Sequence, residues 1–309
     1  MMQVVVTSVV TLFILVFVGF FIGKRGSIHK ESIPDFSALV LNVTMPVTVF
    51  CSIAEQDSLK LAGEIWKVML IAFVYHIGAM LLGMLAIKIL HIPDRESGIW
   101  IFNFMFSNNG FMGLPLALAI FGSTGLFLMA MANVVSNLLI FSIGLKFVTR
   151  HYPVKEKISL KKMLVNNINI AVVIGFIFFF AQIPLPDVVA DLLDYISEIT
   201  AGLSMLVVGL SLSRMDVKDV FKNKKIFILT AFRLLVIPFL VIAVFRILPF
   251  EVSEEVYLTI LLTAALPSAS AQTMLAEQYH TNTSDASRAV FLTTLFSVVT
   301  IPIVMAVGL

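Results

Sequence analysis

Residues 102–122 read FNFMFSNNGFMGLPLALAIFG, and residues 258–278 read LTILLTAALPSASAQTMLAEQ. Each stretch is apolar enough to lie in a membrane, yet each has a proline near its middle, Pro115 or Pro267. Proline removes a backbone donor and clashes with the preceding helical turn, so we expect both helices to be broken or kinked near the bilayer midplane. Hydrocarbon tolerates such a break only where protein, water or a ligand satisfies the freed backbone groups.

The rest of the chain has the composition of a membrane protein. Hydrophobic residues make up 59% of the 309 residues and charged residues 13%, whereas a soluble domain has roughly 25% charged residues. Runs long enough to cross a hydrocarbon core of about 30 Å are numbered here as spans 1 to 10. They lie at about 4–23, 34–53, 65–90, 98–121, 124–148, 168–184, 189–212, 226–248, 255–277 and 285–307. We therefore predict an all-α polytopic membrane protein with ten transmembrane helices, in which the two stretches quoted above form helices 4 and 9.

The longest polar connection, RHYPVKEKISLKK, divides the ten spans into two groups of five. The predicted organisation is a first repeat at 1–149, a cytoplasmic connecting loop at 150–166 and a second repeat at 167–309. An odd number of crossings inverts the second repeat relative to the first. Interrupted helices at matching positions of inverted repeats are the best pointer in a sequence to a transporter binding site.

Cations follow the odd-numbered spans. The basic clusters after spans 1, 3, 5 and 7 begin at Lys24, Lys88, Arg150 and Arg214. Under the positive-inside rule, both termini are then extracytoplasmic in a multi-pass protein of the cell (inner) membrane. The basic loops also offer contacts to membrane lipid, and a net charge of +2 gives no reason to expect a nucleic-acid partner.

Small and polar residues surround both predicted breaks. The candidate substrate-binding residues there are Asn108, Asn109 and Pro115 in span 4, and Pro267, Ser268, Ser270 and Gln272 in span 9. The N-termini of half-helices present unsatisfied N–H groups and a partial positive charge, which favours a monovalent or divalent organic anion. The alternative is a pair of kinks that only shape packing, as Pro46, Pro238 and Pro302 do in other spans.

Three ionisable residues are candidates for proton coupling or for a counter-charge. His76, near the middle of span 3, is either a proton relay or a neutral imidazole bonded to another helix. Glu198, two turns into span 7, either couples a proton or lies in the outer interface, and we favour the interface. Arg233 in span 8 is either a counter-charge for an anion or a side chain that snorkels to the cytoplasmic surface. Asn133 and Asn137 share one face of span 5, where they either bond between helices or contact substrate.

Several runs in order resemble the auxin efflux carrier family in its compact prokaryotic form. These runs are SNNGFMGLPLALAIFG at 107–122, LVVGLSLSRMD at 206–216 and LPSASAQTMLAEQYHTNTSDASRAVFLTTLFSVVTIPIV at 266–304. The resemblance implies a fold similar to sodium/proton antiporters, with broken helices 4 and 9 crossing at their centres. It also implies that organic anions are carried, usually by a homodimer.

The same resemblance implies roles for particular residues. Asn108 or Asn109, together with the backbone around Pro267, falls where the family holds its substrate. Asn133 and Asn137 would line the same vestibule. The short central connection lacks the long cytoplasmic loop of the plant carriers, so we expect no regulation through such a loop.

The predicted function is a secondary transporter that moves a small organic anion by alternating access. The anion is a carboxylate, either auxin-like or a dicarboxylate, and its site lies where helices 4 and 9 cross. Spans 3–5 and 8–10 would move against spans 1, 2, 6 and 7. A membrane sensor or scaffold that binds its ligand without moving it is the alternative.

An intramembrane enzyme is a third class, and the sequence argues against it. The motifs H-E-x-x-H and G-x-S-x-G are missing, as is a pair of intramembrane aspartates. Cys51 is the single cysteine, which excludes a multi-cysteine metal site. We therefore expect no catalytic residues, no metal and no cofactor.

Overall fold

The computed structural model describes residues 2–54, 62–153, 166–215, 220–221, 223–248 and 251–309. All regular secondary structure in these ranges is helical. The α-helices are α1 (Met2–Lys24), α2 (Ile33–Leu39), α3 (Met45–Ala54), α4 (Ala62–Ile89), α5 (Asp94–Met105), α6 (Leu114–Leu139), α7 (Leu145–Thr149), α8 (Asn167–Ala181), α9 (Asp187–Ser213), α10 (Lys224–Ala231), α11 (Ile237–Ile247), α12 (Glu254–Ala265), α13 (Ala271–Gln278) and α14 (Thr283–Gly308). Four π-helical turns join some of them: π1 (Val40–Thr44), π2 (Asn109–Gly113), π3 (Ile140–Gly144) and π4 (Phe232–Val236). A 3₁₀ turn, Lys30–Ser32, precedes α2.

Seven helical stretches in the described ranges are long and apolar enough to cross a membrane. One of them, Asn109–Thr149, contains the second half of span 4 and all of span 5. Gly122 divides it with a φ of 69° and a ψ of −159°, a conformation that glycine adopts without strain. Spans 6 and 9 correspond to shorter helices, α8 and the pair α12 and α13. The chain is therefore an all-helical, multi-pass membrane protein, while most of the predicted connecting loop, 154–165, lies outside the described residues.

Three of the π-helical turns stand directly before a proline. π1, π2 and π4 end two residues before Pro46, Pro115 and Pro238. Proline has no N–H, and its ring clashes with the carbonyl four residues back. In a π turn the N–H groups bond five residues back, which widens the helix and moves that carbonyl aside. These three prolines therefore widen their helices locally and do not interrupt them.

The chain leaves the helical path at two places inside predicted spans. The first break is Phe106–Asn108 in span 4, and the second break is Leu266–Ser270 in span 9. Pro267 lies inside the second break. Pro115 does not lie in the first break, because π2 accommodates the proline and the break occurs earlier in the chain. There, the backbone has an alternative set of hydrogen-bond partners, described below.

The helices pack as two groups. The scaffold group consists of α1–α3, α8 and α9, in which α1 packs along α9, and α3 packs against α8 and α9. Gly19 and Gly209 bring the backbones of α1 and α9 together, since a Cβ on Gly209 would collide with the Val16 carbonyl. The break group consists of α4–α7 and α10–α14 and contains both breaks. In it α4 packs against α5 and α6, and α12 packs against α6, α11 and α14.

Two cavities lie on the boundary between the scaffold group and the break group. One, of about 140 Å³, is lined by Phe13, Phe20 and Leu212 from α1 and α9 and by Phe291 and Val298 from α14. The other, of about 10 Å³, separates α3 and α9 from α6. Protein interiors are normally packed with few voids. The larger cavity thus leaves unfilled space between α14 and the pair formed by α1 and α9.

Candidate functional site

The two breaks are bonded directly to each other through their backbones. The Asn108 N–H donates to the Pro267 carbonyl at 2.9 Å, and the Ala269 N–H donates to the Phe106 carbonyl at 3.1 Å. Ser107 and Ser268 form an antiparallel bridge between these bonds. Backbone groups released from the two helices therefore satisfy one another, as groups at the depth of the hydrocarbon core must. The sequence predicts that both helices are broken, and the structure brings the breaks together.

Side chains at the breaks extend this contact. The Asn108 Nδ2 donates to Ser270 Oγ at 3.0 Å, from the first break to the second. The Ser268 backbone N–H donates to Thr293 Oγ1 in α14 at 3.1 Å. Ser268 is fully buried and its hydroxyl has no hydrogen-bond partner among the described residues. Asn108 is buried as well, whereas Ser270 is half-buried, so the side of the junction near α13 is the more accessible one.

A chain of hydrogen bonds connects the first break to His76 in α4. The Ser107 hydroxyl donates to Asn109 Oδ1 at 3.0 Å, and Asn109 Nδ2 donates to Ser136 Oγ at 2.9 Å. Ser136, in α6, lies 2.9 Å from His76 Nε2. The other ring nitrogen, Nδ1, lies 2.8 Å from the Ala72 carbonyl oxygen. All of these side chains are buried, so the chain is shielded from solvent.

Arg233 lies beside the second break. It is in π4, fully buried, and its Nη1 donates to the Tyr75 hydroxyl at 3.0 Å. Its Nη2 donates to the Thr263 carbonyl at 3.2 Å. That carbonyl would bond to the N–H four residues later in a regular helix, but this position is Pro267, which has none. Arg233 thus replaces a backbone donor that proline removes.

No carboxylate in the described ranges pairs with Arg233. The ion pairs there join Lys67 to Glu64 and Arg288 to Asp285. Arg233 Nε also has no hydrogen-bond partner among the described residues. A buried cation without a compensating anion is costly in protein and in membrane interiors, which makes this position a candidate for anion binding.

Gln272 turns away from the junction of the breaks. It is fully buried in α13, and its Nε2 donates to the Ile99 carbonyl of α5 at 3.0 Å. Asn103 Nδ2 donates to the same carbonyl at 2.8 Å. Gln272 therefore attaches α13 to the half-helix α5.

The remaining predicted residues lie around the breaks or away from them. Asn133 is buried in α6 and Asn137 is half-buried, but Ser136 supplies the bond to Asn109. Pro115 lines the smaller cavity between the two groups. Glu198 is exposed on α9 in the scaffold group, so it lies outside the hydrogen-bonded chain that contains His76.

Tyr75 and Ser136 are central to this arrangement, and sequence reasoning misses both. Tyr75 precedes His76, and Ser136 lies between the two asparagines of span 5, so each is next to a residue that the sequence singles out. A search of the neighbours of polar residues within spans would have included them. Nothing in the spacing indicates their partners.

Comparisons with known proteins show which family the chain is related to. The model of a family described as membrane transport protein matches residues 4–305. The chain is 28% identical to an uncharacterized transporter of Methanocaldococcus jannaschii over 300 residues, which cover 95% of each chain. It is 26% identical to an uncharacterized transporter of Methanothermobacter thermautotrophicus over 96% of each chain. The chain belongs to the membrane transport protein family, the family of the auxin efflux carriers that its sequence resembles.

Proposed function

We propose that the chain is a secondary transporter that moves a small organic anion, a carboxylate, across the cell membrane by alternating access. Its binding site lies where the two breaks meet, next to Arg233. The observation that carries the proposal is the fully buried Arg233 guanidinium, which has no carboxylate partner in the described ranges. Membership of a transporter family supports the general activity, and the charge supports the class of substrate.

The hydrogen-bonding capacity of Arg233 suits a carboxylate. A guanidinium has five N–H donors in a fixed fork that matches carboxylate geometry. Tyr75 and Thr263 occupy one donor each, on Nη1 and Nη2. The Nε donor is buried and has no hydrogen-bond partner among the described residues. A carboxylate at this edge of the guanidinium would both neutralise the charge and satisfy the free donor.

The rest of the site supplies neutral polar groups for the remainder of a small ligand. The Ser268 hydroxyl has no partner among the described residues, and the Asn108 amide bonds to the half-buried Ser270. Ligand sites commonly combine one charged group with a few neutral polar groups in an apolar setting. We infer that Asn108, Ser268 and Ser270 contact the substrate directly and that Asn109 acts from within the chain to Ser136.

We propose that ten spans form two inverted five-helix repeats, 1–149 and 167–309, whose broken helices cross at Ser107 and Ser268. The direct bonds between the two breaks support the crossing. The distribution of cations supports an orientation with both termini outside the cytoplasm. A homodimer, expected from the resemblance, stays a prediction.

Alternating access requires two rigid bodies with a boundary at which they slide. The glycine-mediated contact of α1 with α9 supports a rigid scaffold group. The cavities of about 140 Å³ and about 10 Å³ both lie between the groups, which supports a sliding boundary there. We propose that the break group carries the site across the membrane while the scaffold group stays fixed.

The test is uptake of radiolabelled carboxylates into proteoliposomes. The panel contains monocarboxylates, dicarboxylates and indole-3-acetate, each with and without an imposed pH gradient or membrane potential. We expect saturable uptake of at least one carboxylate by the wild-type protein. The Arg233→Gln substitution should reduce the affinity of the protein for that carboxylate by about 30-fold or more, since removing one partner of a buried charge pair costs about 2–5 kcal/mol.

The matched control is Arg246→Gln, a substitution of the same kind in the same span. Arg246 is exposed and donates to the Val307 carbonyl near the other end of span 8. Carboxylate uptake by the Arg246→Gln variant should equal that of the wild type. Equal uptake by Arg233→Gln would refute the anion site, and ligand binding without flux under every gradient would favour the sensor function.

A further inference from the structure

We propose that His76 is a proton-binding site linked to the substrate: it takes up one proton when the Arg233 site binds a dianion, and none when the site binds a monoanion. The inference rests on the proposed anion site at Arg233 and adds to it the identity of the coupled ion. It comes from the direction of the hydrogen bonds around His76.

The contacts of His76 determine where its ring carries a hydrogen in this structure. The Ala72 carbonyl can only accept, so His76 Nδ1 must donate to it. In a neutral ring Nε2 is then an acceptor, and the Ser136 hydroxyl donates to it. Ser136 can accept at the same time from Asn109 Nδ2, and Asn109 Oδ1 accepts from Ser107. Each donor in the chain points towards His76, and the neutral ring is fully satisfied.

Ser136 also provides for the protonated ring. Its Oγ lies 3.0 Å from the Ala132 carbonyl as well as 2.9 Å from His76 Nε2. If Nε2 gains a proton, Ser136 can accept from it and turn its own hydroxyl hydrogen to Ala132. The bond from Asn109 is kept, because a hydroxyl oxygen has two acceptor sites. His76 Nε2 can therefore bind a proton when only the Ser136 hydroxyl hydrogen rotates, and no heavier atom has to move.

Burial of the His76 ring and the positive charge of Arg233 both oppose this proton. The rings of Tyr75 and His76 are in contact with centroids 5.1 Å apart, and the Tyr75 hydroxyl accepts from Arg233, so Tyr75 is a neighbour of both His76 and Arg233. A protonated His76 and Arg233 would repel each other, because like charges interact strongly in a medium of low dielectric. Protonation of His76 therefore requires a negative charge beyond the one that neutralises Arg233.

No other ionisable side chain in the described ranges competes for this role. Of the helices packed against α4, α6 has no ionisable residue, and those of α5 and α12 lie in the first turns, away from the breaks. These residues are Asp94, Arg95 and Glu96 in α5, and Glu254, Glu255 and Tyr257 in α12. α4 itself has Glu64 and Lys67 in its first turns and Lys88 in its last.

Charge balance then assigns the proton. A monoanion beside Arg233 gives a neutral site, which is the form that crosses the membrane at least cost. A dianion leaves one excess negative charge, and protonated His76 cancels it. The carrier would accept both kinds of substrate, with one proton accompanying only the dianion.

The experiment is calorimetric binding to the purified full chain with matched ligand pairs. Fumarate, tartrate and malate are each compared with their monomethyl esters between about pH 6 and about pH 8, the range in which histidine titrates. We expect dicarboxylate affinity to fall about tenfold for each unit of pH, as linkage to one proton requires. Ester affinity should stay constant. Repeating the titration in buffers of different ionisation enthalpy counts the protons taken up directly.

The His76→Gln substitution separates the effect of the proton on His76 from the effect of its hydrogen bonds to Ala72 and Ser136. Its amide can still donate to Ala72 and accept from Ser136, so ester binding should be retained, which also shows that the variant is folded. Its dicarboxylate affinity should lose the pH dependence. His29→Gln is the matched control, because His29 is exposed and caps no helix through its side chain, and it should behave as the wild type does.

The outcomes distinguish this inference from the proposed function. If dicarboxylates bind without pH dependence, or His76→Gln keeps the wild-type slope, His76 is not the proton site while the anion site stands. If only esters and monocarboxylates bind at every pH, dianions are not substrates and His76 has no such role, while the anion site at Arg233 still stands. If no carboxylate of either kind binds the wild-type protein, the proposed function is wrong and the inference with it.

Discussion

Asn109 connects the first break to α6 through a side chain of neutral charge. Its amide accepts from Ser107 and donates to Ser136, and it is 1% exposed. A carboxylate differs from this amide in charge far more than in shape. Substitution at Asn109 can therefore separate the effect of charge from the effect of the hydrogen bonds.

We predict that Asn109→Asp weakens carboxylate binding at least about tenfold more than Asn109→Ala does. The introduced carboxylate would repel an anion at short range in a medium of low dielectric. The alanine variant loses only hydrogen bonds, each worth about 1 kcal/mol. Isothermal titration with the best carboxylate of the uptake panel measures both affinities. Equal affinities would mean that no anion is bound near the first break.

Single residues were only partly predictable from the sequence. Small polar residues around a proline in an apolar span stand out, which is why the sequence predicts Asn108, Asn109 and Ser268 as site residues. Tyr75 and Ser136 do not stand out, because a serine in a helix commonly bonds to a carbonyl of the preceding turn, and Ser136 does have the Ala132 carbonyl within reach at 3.0 Å. The sequence does not determine the depth of Arg233 for a similar reason, since a long side chain within a span has two directions in which to extend.

Among the helical elements, π4 controls the direction in which Arg233 points. A π turn changes the rotation of every residue around it relative to a regular helix. π4 precedes Pro238 and contains Arg233. The proline therefore affects the anion site through the shape of the helix that carries Arg233.

We predict that Pro238→Ala weakens carboxylate binding about tenfold, because the turn can relax to a regular α-helix and rotate the guanidinium away from Thr263. Binding to the purified variant, measured by titration, tests this. Pro46→Ala is the matched control: Pro46 also follows a π turn, π1, but in the scaffold group. An equal loss in both variants would indicate general destabilisation and not a rotated Arg233.

The breaks show where prediction of elements succeeds and where it fails. Pro267 lies in the second break, as the sequence predicts. Because proline has no N–H, the Thr263 carbonyl four residues earlier needs another donor, and Arg233 supplies it. The first break was expected near Pro115 but lies before π2. The pairing of two distant segments determined its position, and such pairing is a property of the folded chain and not of either segment.

At the scale of the whole molecule, the described residues include a polar contact that joins the two groups. The Ser8 hydroxyl of α1 donates to the Ala119 carbonyl of α6 at 3.1 Å. This contact crosses from the scaffold group to the break group. The Thr48 hydroxyl donates to Thr200 Oγ1 at 2.7 Å, but both of these residues belong to the scaffold group.

We predict that cross-linking Ser8→Cys to Ala119→Cys stops transport, because it joins the two bodies that must slide past each other. The pair is introduced into a Cys51→Ser background, since Cys51 is the single cysteine of the chain. Uptake into proteoliposomes should fall to background on cross-linking with mercuric ion and recover with a thiol reductant.

The control pair is Thr48→Cys with Thr200→Cys, which joins two residues of the scaffold group. It should cross-link with little change in uptake. If the Ser8–Ala119 cross-link leaves transport intact, the two groups do not move relative to each other at that boundary. If the control pair stops transport, the scaffold group is not rigid.

The bridge between Ser107 and Ser268 has a consequence for how such proteins diversify. The hydrogen bonds that hold the breaks together run between main-chain atoms, and every amino acid except proline provides the same donor and acceptor. Replacing the flanking side chains therefore changes what the centre of the molecule recognises without undoing the junction that creates it. An ancestral chain with this bridge could acquire a new cargo by a few substitutions, while its architecture stayed the same.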